Sequence, residues 1–152
     1  MKRLSIVFVL ILALCANAGA AGTMTGCAAS DWVDIGNENW ACTLSWTDDT
    51  NGTTGTIYIP ASLYGLWAGA AITDPGSTAP TDNYDIVISS TVSSRWTGLD
   101  IFDGNLLNRD TSTTEKATWS MAPFPVYGNL TFALSGNAVN NATGTITLIL
   151  AK

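Results

Sequence analysis

The sequence predicts an all-β fold: a two-sheet antiparallel sandwich of jelly-roll or immunoglobulin-like type, with about eight short strands. Three observations predict it. Apolar and polar residues alternate over short runs. Clusters of Gly, Asn, Asp, Ser and Pro separate those runs. No long stretch carries a helical period.

The first 21 residues stand apart. Lys2 and Arg3 precede the apolar run Leu4 to Leu14, and small residues follow in "CANAGAAG". This order predicts a secretory signal peptide over residues 1–21, with Ala16-Asn17-Ala18 as a cleavage site. A single β-sandwich domain then fills residues 22–152. No charge falls between Arg3 and Asp31, so an uncleaved anchor is the competing reading. The short apolar core favours removal, which leaves an exported chain with no membrane segment.

Trp40, Cys42, Leu44 and Trp46 alternate with Ala41, Thr43 and Ser45, which predicts a half-buried strand with both tryptophans in the core. "TDDTNGTTG" is a turn and "TIYIP" resumes as a strand, so the two strands are expected to pair as a hairpin. Ala61 to Thr73 opens with a helical turn. Gly65 and Gly69 argue against a stable helix, and Leu66 to Thr73 reads as a strand. "DPGSTAPTD" is a loop.

"PTDNYDIVISS" turns and then extends. Tyr84, Ile86 and Ile88 share the core face, and Asp85 and Val87 take the other. Asp82 and Asn83 are expected to fix the turn through side-chain bonds to backbone N–H groups, with Asp85 pointing outward. Next come a polar connection, a short strand "LDIF", the turn Asp103 to Asn105, a solvated loop "NRDTSTTEKA" and a short extended "TWSM". "APFPVYGN" suits an edge or a connection, because proline cannot donate to a ladder. Leu130, Phe132 and Leu134 alternate. The chain closes on a strand with Ile146, Leu148 and Leu150 on one face and Ile149 on the other.

The chain has 12 acidic and 6 basic residues. Removing the signal segment takes Lys2 and Arg3, leaving 4 basic residues against 12 acidic ones, a net charge of −8. Such a surface excludes nucleic acid as a partner, since phosphate binding needs clustered Lys and Arg. It equally disfavours anionic lipid. Cys27 and Cys42 remain in the exported chain and predict a disulfide, with two unpaired thiols as the alternative.

There is no histidine, which removes the commonest general base and most zinc sites. No Gly-rich phosphate loop appears. The carboxylate pairs Asp48/Asp49, Asp82/Asp85 and Asp100/Asp103 do not by spacing alone face each other across a cleft, as glycoside hydrolysis requires. "DDTNG" and "DIFDGN" are oxygen-rich but lack EF-hand spacing, so both read as self-capped turns. The expectation is a non-enzymatic protein with no catalytic residues, metal or cofactor. The 6 tryptophans raise a glycan reading, because flat rings stack on sugars. Trp96, within "SSRWTG", is the first candidate for an exposed ring, with Trp67 and Trp119 beside it.

"DPGSTAPTDNYDIVI", "GLDIFDGNLLNRD" and "GNLTFALSGNAVNNATGTITLIL" together resemble a group of small proteins encoded by tailed bacteriophages. The resemblance spans roughly Thr47 to Lys152 and is densest around Asp82, Asn83, Tyr84, Asp85, Asp100 and Asp103. It implies a virion-associated structural or attachment β-sandwich without enzyme activity. Its partners would be other virion subunits or copies of itself, met through sheet edges or faces. The export signal, the cysteine pair and extra residues at Thr91 to Trp96 depart from that pattern. They point instead to a surface-displayed relative. The alternative is a secreted carbohydrate-binding module or adhesin whose partner is a surface glycan.

Overall fold

The computed structural model describes residues 22–48, 50, 52–92, 97–118 and 125–152. The signal segment, Asp49, Trp96 and Trp119 lie outside the described residues. The strands are β1 (Thr23–Gly26), β2 (Val33–Gly36), β3 (Asn39–Asp48), β4 (Thr53–Ile57), β5 (Trp67–Pro75), β6 (Asp85–Ser90), β7 (Glu115–Thr118), β8 (Leu130–Ser135) and β9 (Ala142–Ala151). A short 3-10 helix, Ala61–Leu63, precedes β5.

The strands form two antiparallel sheets. One has the order β1-β3-β9-β5-β7, with β2 also on β3, and the other has the order β4-β8-β6. The predicted two-sheet sandwich is the observed architecture. The period-two pattern explains how it packs. Cys42, Leu44 and Trp46 of β3 and Ile146, Leu148 and Leu150 of β9 face inward. Ile57, Ile86, Ile88, Leu130, Phe132 and Leu134 meet them from the smaller sheet. Each such side chain contributes about 1.5–3 kcal/mol on full burial.

Several expectations need correction. β3 and β4 do not pair as a hairpin. β9 lies along one edge of β3 from Trp40 to Asp48, and β1 and β2 occupy the other. With both edges of β3 taken, the intervening turn carries the chain across to the second sheet, where Thr53 to Ile57 pair with β8.

"LDIF" is not a strand. Asp100 makes a single bridge to Ser89, and residues 101–106 are a run of turns. The Asp100 carboxylate accepts the N–H groups of Phe102 (3.0 Å) and Gly104 (2.8 Å), which curls the backbone and drives Ile101 and Phe102 into the core. The solvated loop is shorter than expected, because β7 begins at Glu115. That strand ends on Thr118, the first residue of "TWSM", and the rest of that stretch lies outside the described residues.

Tyr84, Ile86 and Ile88 are fully buried, as their alternation predicts. The bonds at the preceding turn are main-chain ones rather than the expected side-chain bonds of Asp82 and Asn83. Asn83 has left-handed backbone (φ 63°), its N–H donates to Arg109 O (3.0 Å), and Arg109 N–H donates to Tyr84 O (2.8 Å). Asp85 faces away from the core but is half-buried, and its carboxylate accepts Asn108 N–H at 2.9 Å. This stretch is therefore a docking strip for the 99–109 segment. The Tyr84 ring lies 5.8 Å from that of Trp46, and burial, reinforced by the negative charge of Glu115, pushes its hydroxyl up to about 12.

Candidate functional site

The inner rows of β3 and β9 do not stop where the core stops. One step beyond Cys42 on β3 lies Trp40, half-buried and packed on the core, and one step beyond Leu150 on β9 lies Lys152. Asp34 of β2 pairs directly with Trp40 and so shares its face. The 3-10 helix brings Ser62 and Leu63 against the same opening, with Leu66 just after it. Together with Glu38 these residues line an open cavity of about 520 Å³ at one end of the sandwich.

The chemistry of this cavity is mixed. Trp40, Leu63 and Leu66 give an apolar wall. Asp34, Glu38, Lys152 and Ser62 supply acceptors and donors. Lys152 Nζ donates to Glu38 Oε1 at 2.6 Å, and both side chains are largely exposed. Asp34 Oδ1 accepts Gly36 N–H at 2.7 Å and so shapes the β2–β3 turn while its other oxygen stays available. Both carboxylates are exposed.

Exposed aromatic rings lie toward the same end of the sandwich, outside the cavity lining. Among the described residues the exposed rings are Tyr58, Tyr64, Trp67 and Tyr127. Tyr58 follows the last residue of β4, Tyr127 precedes β8, and Tyr64 and Trp67 lead into β5. All therefore fall at the cavity end. Gly65 N–H donates to Val126 O (2.8 Å), Val126 N–H donates to Leu66 O (2.8 Å), and Trp67 bridges Pro125. The segments bearing Tyr64, Trp67 and Tyr127 are thus laced together by backbone bonds. Gly65 permits that approach with φ +88°, where a side chain would be strained.

A covalent tie supports the cavity's outer wall. Cys27 and Cys42 form the predicted disulfide, 15 residues apart, and the loop it closes contains β2 with Asp34 and Glu38. Such closure is worth about 3 kcal/mol. Trp32 is buried beneath, its Nε1 donating to Tyr58 O at 2.8 Å.

Of the tryptophans expected to bind, Trp67 stands exposed at this end, while Trp96 and Trp119 lie outside the described residues. Trp46 is core, as expected. Trp40, also expected in the core, is half-buried against it and forms part of the cavity wall. The sequence reading missed Tyr58, Tyr64, Tyr127, Asp34, Glu38 and Lys152. The acidic turns are structural: Asp100 caps its own turn and Asp48 is buried. Asp82 and Asp103 are exposed, and among the described residues no cluster of His, Cys, Asp or Glu could hold a metal ion.

No family model matches the chain, and no curated protein matches it. Among solved structures it is similar to the low-affinity xylan binding module CBM86 from the gut symbiont Roseburia intestinalis. The two share 9% identity at a TM-score of 0.32, over 86% of this chain and 96% of the other. Among the described residues no helix is long and apolar enough to cross a membrane.

Proposed function

We propose that the protein is an exported, non-catalytic binding module that holds a neutral glycan at the open end of its sandwich. The observation that carries this reading is a cavity walled by Trp40 and bearing both acceptors and donors, with exposed aromatic rings toward the same end of the sandwich. An aromatic face stacks on the apolar C–H face of a sugar ring, and the polar groups fix its hydroxyls. The chain's acidity favours a neutral saccharide over a sulfated or uronic one, which it would repel. The disulfide and the charged-then-apolar leader support export.

A glycan array with the wild type, Trp67→Ala and Tyr127→Ala tests the reading. Binding to neutral glycans should fall at least about tenfold in each variant, in line with the loss of one stacked ring. Wild-type protein that binds nothing on the array would sink it.

A second reading, a phage-type structural or attachment subunit, draws on the sequence resemblance and on β2. That edge strand carries exposed Val33 and Ile35, an apolar pair suited to another subunit. Mass spectrometry of purified particles from the encoding strain decides it, and absence of the chain from them would rule it out.

A further inference from the structure

The opposite end of the sandwich holds a buried polar cluster that glycan binding does not use. Asp48, the last residue of β3, is 1% exposed; Thr53, the first residue of β4, is 1% exposed; and Asn137, in the β8–β9 loop, is 6% exposed. The Thr53 hydroxyl donates to Asp48 Oδ1 at 2.5 Å, and the Asn137 amide donates to Asp48 Oδ2 at 2.9 Å. One carboxylate therefore holds a hydroxyl and a carboxamide side by side, one on each oxygen.

The amide carbonyl is also prepared. Asn137 Oδ1 accepts two backbone N–H groups, those of Thr81 and Val139, each at 3.0 Å. Two fixed donors on one carbonyl oxygen form an oxyanion hole, the arrangement that stabilises a tetrahedral intermediate at that carbon. The cluster thus contains a nucleophile hydrogen-bonded to a base, an electrophile with its oxygen polarised, and a leaving nitrogen bonded to the same base.

We propose that Thr53 and Asn137 become joined by an intramolecular ester, formed by the folded chain itself with Asp48 as the base. Asp48 Oδ1 takes the proton of the Thr53 hydroxyl, and Oγ1 bonds to Cγ of Asn137. The negative charge that develops on Oδ1 of Asn137 is held by the N–H groups of Thr81 and Val139. The Cγ–Nδ2 bond then breaks, Asp48 returns the proton to the departing nitrogen, and ammonia leaves. No oxidant, reductant or cofactor enters, and Asp48 ends as it began. Burial excludes water, which would otherwise compete for the carbonyl and hydrolyse the product. The bond would fasten the start of β4 to the loop between β8 and β9, an advantage for a module that must hold its ligand outside the cell.

Intact-mass spectrometry and peptide mapping of the purified, disulfide-bonded protein test this. The expected mass is lower by one ammonia than that of the purified chain with its disulfide formed, with one cross-linked pair of peptides bearing Thr53 and Asn137, separable by hydroxylamine. Asp48→Asn and Thr53→Val should each restore the full mass. An intact wild-type mass without the loss overturns the proposal. So does an ammonia loss confined to the Asn137 peptide, which marks a succinimide. A cross-link that persists in Asp48→Asn overturns the role of the base. The wild-type mapping requires no variant to fold, and its outcome is independent of whether the open end binds glycan.

Discussion

The inner row of β3 runs from Trp40 to Asp48, and the two ends of that row are built in opposite ways. At Trp40 a half-buried ring and solvent-exposed charges line an open cavity, with four exposed aromatic side chains toward the same end. At Asp48 a charged side chain is buried, with both oxygens engaged by Thr53 and Asn137. Charge is left exposed at the end proposed to bind a ligand and buried at the other. A carboxylate in water costs nothing to keep, whereas a buried one persists only when its acceptors are filled. The difference separates the residues proposed to recognise a ligand from those proposed to fasten the sheets.

Breaking the closed end should have the largest effect. Asp48→Ala removes the shared acceptor of the Thr53 hydroxyl and the Asn137 amide and, with it, the base of the proposed ester, and about 2–4 kcal/mol of stability should be lost, read by urea unfolding. A loss below about 0.5 kcal/mol would mean that this end is not fastened there.

The core between the ends should show a pH signature nearly as large. Tyr84 is pushed up to about 12 by its burial and by Glu115. Below pH ~10 both folded and unfolded chains keep the phenolic proton, so this group adds no pH dependence. Between pH ~10 and ~12 the unfolded chain ionises first. It then binds fewer protons than the native state, and stability falls by about 2–3 kcal/mol. Urea midpoints across that range check the fall, and phenolate absorbance shows whether Tyr84 titrates only as the fold is lost.

Gly144 of β9 presents no side chain because the Trp46 indole occupies that space, and an added Cβ would overlap the ring. Gly144→Ala should cost about 1–3 kcal/mol by displacing Trp46, visible as altered tryptophan emission and a lower Tm. Smallest of all, Lys152→Gln removes the exposed ion pair with Glu38 and should change stability by less than about 1 kcal/mol, measured by the same unfolding assay. A large loss there would contradict the assignment of the open end to recognition.

What was legible in the sequence follows the same division. β8 and most of β9 are readable because one face of each is buried along its length; β9 begins at Ala142, three residues earlier than expected, where Asn, Ala, Thr and Gly read as a turn. The separation of β3 from β4 was not readable. A turn rich in Asp, Asn and Gly is a local signal, whereas the pairing was decided by β1, β2 and β9 already lying along β3. "LDIF" carries strand-like residues, but the side chain of Asp100 captured the backbone first. At the cavity, Asp34, Trp40, Ser62 and Lys152 come from distant parts of the chain, and no spacing rule joins them. A signal did exist. Trp40 and Lys152 each sit one step past a buried row. Weighing tyrosines as fully as tryptophans would also have drawn notice to Tyr58, Tyr64 and Tyr127.

The most direct test of recognition at the open end is an amide chemical-shift titration with three neutral hexasaccharides: cellohexaose, xylohexaose and mannohexaose. At least one should saturate, with shifts concentrated at Asp34, Glu38, Ser62, Leu66, Trp67, Tyr127 and Lys152 and none at Asp48, Thr53 or Asn137. Shifts centred on the Asp48 end, or no shifts with any of the three, would contradict the account.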